Sequence, residues 1–384
     1  MSGTARAYLD WNASAPLRPE ARAAMASALD LVGNPSSPHQ EGRAARAAIE
    51  RAREQIALLV GAPPGEVALT SGATEAVNWA VKGRAWDALI LAAGEHASAR
   101  AAAEAASSSR DVPLLRLDAT KEGAPAGLEH STLDDFEGAA LFIGWEAQGE
   151  TGAAAAPEQT NTLAAAMGAL AFTDATQLAG KAAFNAAGDA RAYRFETEFA
   201  AISAHKFGGP KGVGALLMRG AFDIPPLVHG GGQELRRRSG TENLAGIVGM
   251  GAAAEAALRD VKDGVWEAVR EKRDRLQSAL LEETPGLAVI AADAPWRLAN
   301  TLTVAAPGAK AESLLIRLDM AGVAVSAGSA CSSGKMSASP VLAAMGLSPK
   351  IAEAAVRISL GPTTTEAELE AFLGAWRGLK LKAQ

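Results

Sequence analysis

One cysteine, Cys331, stands in a chain of 384 residues. A lone thiol closes no intramolecular disulfide and builds no cysteine zinc or iron–sulfur cluster. Cys331 is therefore either a buried filler or a reactive group. Histidine is also scarce. His39, His96, His130, His205 and His229 do not fall in a metal-ligand spacing such as H-E-x-x-H. Positive charge is not in excess: 37 Lys+Arg face 43 Asp+Glu, a formal charge of −6. That balance argues against a general nucleic-acid binder, whose phosphate contacts need a basic face. No uninterrupted apolar run reaches the length of a membrane span. The start, Met1 to Arg6, lacks the apolar core of a signal peptide. The expectation is a cytoplasmic enzyme without a membrane partner. Its length suggests about two domains at roughly 150 residues each. Hydrophobic residues at 48% and charged residues at 21% suit a globular chain rather than a disordered one.

The chain is rich in alanine, which blurs helical periodicity, yet its organisation is readable. A helix is expected over Arg43–Val60, stopped by Gly61, Pro63 and Pro64. Short apolar runs follow at Val67–Thr70, Ala88–Leu91, Pro113–Leu117, Ala140–Gly144, Leu170–Thr173, Ala200–Ser203 and Val213–Met218. Helical stretches such as Thr74–Val81, His96–Ala106 and Gln159–Ala169 alternate with them. Such alternation implies an α/β layer fold around a mostly parallel sheet. Beyond residue 245 the pattern changes to a long helix over Ala245–Glu283, then short strands including Val323–Ser326 and Val356–Leu360, and a last helix at Thr365–Leu379. This reads as a smaller α+β domain. Ser107–Ser109 and Gly149–Pro157 read as surface loops.

Three segments carry chemistry. Thr70-Ser71-Gly72-Ala73-Thr74-Glu75 lies between a strand and a helix start. Small residues there let backbone N–H groups approach an anion; an ordinary turn with a threonine N-cap is the plainer reading. Asp174, in Phe172-Thr173-Asp174-Ala175-Thr176-Gln177, sits at the end of a strand, where α/β folds place ligands; a helix N-cap is the alternative. Lys206 follows a later strand, beside Ser203 and His205 and before a glycine-rich turn. A lysine in such a place can be a covalent nucleophile if its pKa is lowered, or a solvated turn residue. Together they match the needs of pyridoxal phosphate: an amine to link to, an acid for the pyridine nitrogen, and a phosphate cup.

With these segments in place, the chain resembles the cysteine desulfurases, class V enzymes of the fold-type I pyridoxal-phosphate group. The resemblance spans nearly the whole chain. Its further motifs are Tyr8-Leu9-Asp10 with Asn12 and Ala13, Gly33-Asn34-Pro35-Ser36-Ser37, Glu95-His96, His229-Gly230-Gly231-Gly232-Gln233, Arg238-Ser239-Gly240-Thr241, Gly328-Ser329-Ala330-Cys331 and Val356-Arg357-Ile358-Ser359-Leu360-Gly361. It implies a large domain, residues 15–245, with a central, mostly parallel seven-stranded sheet flanked by helices. Residues 1–14 and 246–384 would form a small α+β domain. Lys206 would hold the cofactor covalently, Asp174 would pair with the pyridinium nitrogen, and Gln177 would bond the ring hydroxyl. His96 would stack on the ring and aid proton transfer. Ala73, Thr74, Ser203 and His205 would hold the phosphate. Thr241 would reach the neighbouring subunit's phosphate, which implies a homodimer. Arg357, assisted by Asn34, would clamp the substrate carboxylate bidentately.

The neighbourhood of Cys331 reads locally as a small-residue mobile loop, although free cysteines are often buried. The resemblance makes it the nucleophile that takes sulfur from L-cysteine as a persulfide and leaves L-alanine. The length of chain up to a helix near Val341 resembles the long-loop group that serves iron–sulfur assembly. The acceptor could be a scaffold protein, a tRNA-modifying protein or a simple reductant. Selenocysteine lyase and class V aminotransferase are the nearest rivals. A non-catalytic assembly partner is opposed by the intact Lys206, Asp174, His96, Arg357 and Cys331. One departure stands out: Gln148-Gly149-Glu150 occupies the place of the family's Asn-Asn-Glu. Gly149 removes a donor whose place Gln148, or water, would take. Gly249–Ala254 formally matches G-x-G-x-x-A, but no strand precedes it and it reads as close helix packing. Arg236–Arg238 reads as a solvated loop.

Overall fold

A computed structural model describes residues 6–123, 125–126, 138–155, 159–181, 197–220, 224–306, 308–327 and 339–381. Cys331 and His130 lie outside the described residues.

The seven expected strands form one sheet in the spatial order Val67–Thr70, Gly214–Met218, Phe199–Ser203, Leu170–Asp174, Ala140–Trp145, Ala88–Leu91 and Leu114–Arg116. Only Gly214–Met218 runs antiparallel to its neighbours; the other pairings are parallel. Helices cover both faces, which is why these strands read as continuous apolar runs. The period-2 alternation is still visible in the packing. Val67, Leu69, Ala200, Ile202, Ala215 and Leu217 enter the core under the helices Gln40–Val60 and Leu244–Lys262. Ala68, Ala201 and Leu216 enter the opposite core, under Ala73–Lys82 and Ala97–Arg110. A second core gathers Ala7 and Leu9 with residues from Val261 to Leu379. It lies on a four-stranded antiparallel sheet, Ala288–Val289, Thr301–Ala305, Ala355–Ser359 and Ser326–Ala327.

The glycines of the helix Leu244–Lys262 serve close packing, as expected. A Cβ at Gly249 would come 2.5 Å from Met25 Cγ, and one at Gly251 would come 2.6 Å from Ala52 Cα. Other expectations need correction. Ala245–Glu283 is two helices, Leu244–Lys262 and Val265–Glu283, broken where Gly264 adopts φ 70°. Alanine-rich flanks hid that break. Ser107–Ser109 belong to the helix Ala97–Arg110, which ends at Asp111 in the left-handed region. Gly149–Pro157 is not a surface loop over its described part. Thr151, Ala153, Ala154 and Ala155 are buried, and bridges join Ala147 to Ala154 and Ala153 to Arg297. Val323–Ser326 splits into Val323–Ala324, paired with Ala7–Tyr8, and Ser326–Ala327 in the antiparallel sheet. Arg238 is not simply solvated: its Nε donates to Glu75 Oε1 at 2.9 Å. No helix among the described residues is long and apolar enough to cross a membrane.

Candidate active site

Two adjacent parallel strands end side by side, one at Asp174 and the other at Ser203. Asp174 is buried. Its Oδ1 accepts from Thr176 N at 3.0 Å and Thr176 Oγ1 at 2.7 Å, so it caps a turn rather than a helix. After Ser203 a single 3-10 turn, Ala204–Lys206, presents the lysine. Lys206 Nζ donates to Asn12 O at 2.6 Å and Ala13 O at 3.2 Å. Burial, and then the Arg357 charge, lower its pKa to about 8 against the opposing pull of Asp174 and Asp10. The sequence-level alternative of a solvated turn lysine therefore fails. His205 is pushed down to about 4, by burial first and then by Lys206, Lys211 and Lys181. It is a neutral imidazole at physiological pH, with Nδ1 3.3 Å from Ser14 Oγ.

Asn12, fully buried, is the hub beneath these groups. Its carbonyl accepts from Gln177 Nε2 at 3.1 Å as well as from Lys206. Its amide donates to Gly149 O at 3.1 Å and Thr301 Oγ1 at 2.8 Å. Its Oδ1 accepts from Lys181 Nζ at 3.0 Å and Asn300 Nδ2 at 2.9 Å. Arg357 lies on the strand Ala355–Ser359 and is buried. Its Nη2 donates to Asp10 Oδ1 at 2.7 Å and its Nη1 to Gly149 O at 3.0 Å, while buried Nε has no partner among the described residues.

At the other end of the site, the helix Ala73–Lys82 begins after Gly72, with φ 154° and no side chain capping the helix. The threonine cap is absent because Gly72, with no side chain, holds the N-cap position; Thr70 Oγ1 donates to Gly72 O at 3.0 Å. The first-turn N–H groups are left without a side-chain cap, the arrangement that suits an anion. Ser203, at the end of the strand two places away, stands near this turn: a Cβ at Gly72 would come 3.9 Å from its Oγ. Thr241 lines a cleft with Thr70, Ser71, Gly212 and Arg238. A desolvated amine, a buried carboxylate and an uncapped helix start, all following strands of one sheet, fit pyridoxal phosphate.

Some expected residues are not brought into contact. Asn34 is exposed and its Oδ1 accepts from Ser36 N at 2.8 Å; its bonds do not reach Arg357. His96 is the exposed N-cap of Ala97–Arg110, and its Nδ1 accepts from Ser98 N at 3.2 Å. Gln148 does not take over a donor role at the site. Its Nε2 bonds Gly94 O and its Oε1 accepts from Glu150 N at 2.8 Å. Instead, Gly149 makes room: a Cβ there would meet Gln177 Nε2 at 2.7 Å.

Sequence reasoning missed four groups. Lys181, buried, donates to Gln177 Oε1 at 2.8 Å, and its spacing of four from Gln177 was the available signal. Asp10 stands in a quoted motif but had no role; it is Arg357's ionic partner. Glu95 is pushed well up, first by burial and then by the nearness of Asp174. Glu150 is raised to about 7 by burial, against the lowering effects of Ser339, Arg357 and Arg100.

A model of the aminotransferase class-V family matches residues 7–372. An IscS-like cysteine desulfurase of Mycobacterium tuberculosis is 36% identical over 390 residues, covering 98% of this chain and 97% of that protein. A cysteine desulfurase of Cereibacter sphaeroides is 39% identical over 375 residues, covering 96% and 94%. Among solved structures, a NifS-like protein superposes with a TM-score of 0.85 at 30% identity, covering 98% of this chain and all, 100%, of the other. A structure described as SspA in complex with cysteine superposes with a TM-score of 0.75 at 27% identity, covering 93% and 99%.

Proposed function

The chain belongs to the class V aminotransferase family, in its cysteine desulfurase branch, and we propose that it removes sulfur from L-cysteine, gives L-alanine and carries the sulfur on Cys331. The observation that carries this reading is the desolvated Lys206 amine beside the buried Asp174 carboxylate at adjacent strand ends.

Bound pyridoxal 5′-phosphate supplies an electron sink for the charge left when a substrate Cα proton is removed. Lys206 would hold it covalently, with Asp174 on the pyridine nitrogen and Gln177 on the ring hydroxyl. Ala73, Thr74, Ser203 and His205 would hold its phosphate, joined by Thr241 from the partner subunit of a homodimer, and His96 would lie against the ring. Once the substrate amine has displaced it, Lys206 Nζ, lowered to about 8 as a free amine, would be partly neutral near physiological pH and could take and return the Cα proton. Arg357, whose buried Nε has no partner among the described residues, would orient the substrate carboxylate; Asn34 would assist only by leaving its present bond to Ser36 N. The Cys331 thiolate bonds to the substrate sulfur as the carbon–sulfur bond breaks. The electron pair stays on the substrate carbon, which takes a proton to become the methyl group of alanine. The persulfide then passes to a protein acceptor of the scaffold or tRNA-modification kind, in the cytoplasm. Residues 15–245 form the cofactor domain in this reading, and 1–14 with 246–384 form the domain carrying Cys331 and Arg357.

Intact-mass analysis after L-cysteine tests it. One extra sulfur on wild-type protein, absent from Cys331→Ala, is expected. Alanine release at an undiminished rate from Cys331→Ala would overturn the persulfide route. A visible cofactor band should be present in the wild type and lost in Lys206→Ala.

A further inference from the structure

Lys181 is a buried amine that the reaction above does not use. It forms no ion pair with an acid among the described residues; its bonds go to two amide oxygens, Gln177 Oε1 at 2.8 Å and Asn12 Oδ1 at 3.0 Å. Burial, helped by Lys206 and Arg357, pulls its pKa well down. If filling space were its only task, an apolar side chain would serve without burying an amine. What Lys181 adds is direction. An amide's two ends are alike in shape, and only their partners decide which faces where. With its N–H groups, Lys181 draws in both oxygens. Gln177 Nε2 is thereby turned toward Asn12 O, the carbonyl that accepts from Lys206 at 2.6 Å. Asn12 Nδ2 is likewise turned toward Gly149 O and Thr301 Oγ1. A reversed Gln177 would set its oxygen against the Asn12 carbonyl, acceptor against acceptor, and would lose the bond that Lys181 now donates to Gln177 Oε1. Gly149 gives this lock its room, since a Cβ there would meet the Gln177 side chain within 3 Å.

We propose that Lys181 is a positioning residue that keys the amides of Gln177 and Asn12, so that Gln177 presents its N–H end, never its oxygen, to the cofactor's ring hydroxyl. This inference rests on the cofactor reading above. A donor held against that oxygen stabilises its anionic form and so lowers the pH at which the bound cofactor's visible band titrates.

The test is a spectroscopic pH titration of the holoenzyme, with no turnover involved. Lys181→Met, similar in length but without a donor, should keep its cofactor and titrate about one pH unit higher than wild type. Lys181→Gln, which restores an N–H donor, should return the midpoint most of the way. In a Gln177→Leu background, Lys181→Met should add no further shift, because the lysine acts through the glutamine. An unchanged midpoint in a cofactor-loaded Lys181→Met overturns the inference. If that variant does not fold, Lys181→Gln decides instead: a wild-type midpoint, together with a raised one in Gln177→Leu, supports the keying, and anything else refutes it. A wild type that shows no visible band with added pyridoxal phosphate is a different failure, that of the cofactor reading itself.

Discussion

Glu234 offers the most demanding quantitative prediction. Glu234, Leu235 and Arg236 are three consecutive non-glycine residues in the left-handed region, with φ 47°, 57° and 68°. Each carries a steric penalty of about 1–2 kcal/mol. The turn is held by a buried fork: Arg53 Nη1 and Nη2 each donate to a Glu234 carboxylate oxygen at 2.7 Å. Leu69 N adds a bond at 2.9 Å, which ties the turn to the sheet's edge strand. Removing one member of a buried, bonded ion pair destabilises by about 3–5 kcal/mol. Relaxation of the turn returns part of that, so Glu234→Ala should lose about 3 kcal/mol in the urea-unfolding free energy of the unliganded chain. Arg53→Met should lose a similar amount. The double variant should be more stable than the sum of the two by at least about 2 kcal/mol, because no charge is left buried alone. Leu235→Gly is the internal control. Leu235 is 63% exposed, so little burial is lost, and relief of strain should leave it neutral or better. Glu234 also lines the cleft of Thr241, Ser71 and Arg238, so Glu234→Ala should weaken binding of a phosphate-bearing cofactor as well. A cost below about 1 kcal/mol, or additive single effects, would refute the claim that this pair holds the strained turn.

Three further outcomes follow from the site. Glu150 has its pKa raised from 4.5 to about 7, so its ionisation in the folded state lowers stability as pH climbs through that window. Glu150→Gln should therefore gain on wild type by up to about 3 kcal/mol between acid pH and pH 8, and a difference that does not vary with pH in urea midpoints would defeat the argument. Asp174 raises the Lys206 pKa, so Asp174→Asn should move the amine below its value of about 8, read by competitive acetylation and mass spectrometry; an unchanged or higher midpoint contradicts it. Gly149→Ala should displace Gln177 and break one of its two bonds, costing about 1–2 kcal/mol, and a neutral urea midpoint would show that the packing is looser than described.

The sheet was legible because its strands are covered on both faces. Val67–Thr70 and Ala88–Leu91 appear as unbroken apolar runs between turn residues, and the structure returns them with the same bounds. The residues at strand ends inherit their places from that register, so Asp174 and Lys206 could be located before any coordinates. What failed did so where small residues carry two meanings. The serines of 107–109 look like a loop but extend a helix, and the alanines of 153–155 look exposed, but Ala154 N donates to Trp296 O and Ala155 N to Glu146 O. Pairings between distant segments left no local trace: Asp10 and Arg357 are 347 residues apart, as are Asn12 and Ser359, whose Oγ accepts from Asn12 N. Lys181 escaped because only the fold shows that its helical-like spacing from Gln177 is buried. The placement of Cys331 falls outside the described residues.

The buried groups of the site also divide by what burial does to them. Lys181 and His205 are pushed toward their neutral bases, and Glu95 and Glu150 toward their neutral acids, in each case with desolvation as the first cause. These four contribute mainly as hydrogen-bonding shape, and neutralisation spares the site the large penalty of isolated charges in low dielectric. Arg357 differs. It meets Asp10 directly at 2.7 Å, and Asp10 is further steadied by Ser326 Oγ at 2.9 Å. An arginine cannot shed its proton to escape burial, so it needs a resident carboxylate. That partner occupies Nη2 and leaves the buried Nε without an acceptor. Under the proposed function, an incoming carboxylate would meet a guanidinium that Asp10 has already oriented, with part of its hydrogen-bonding capacity left to direct at the substrate.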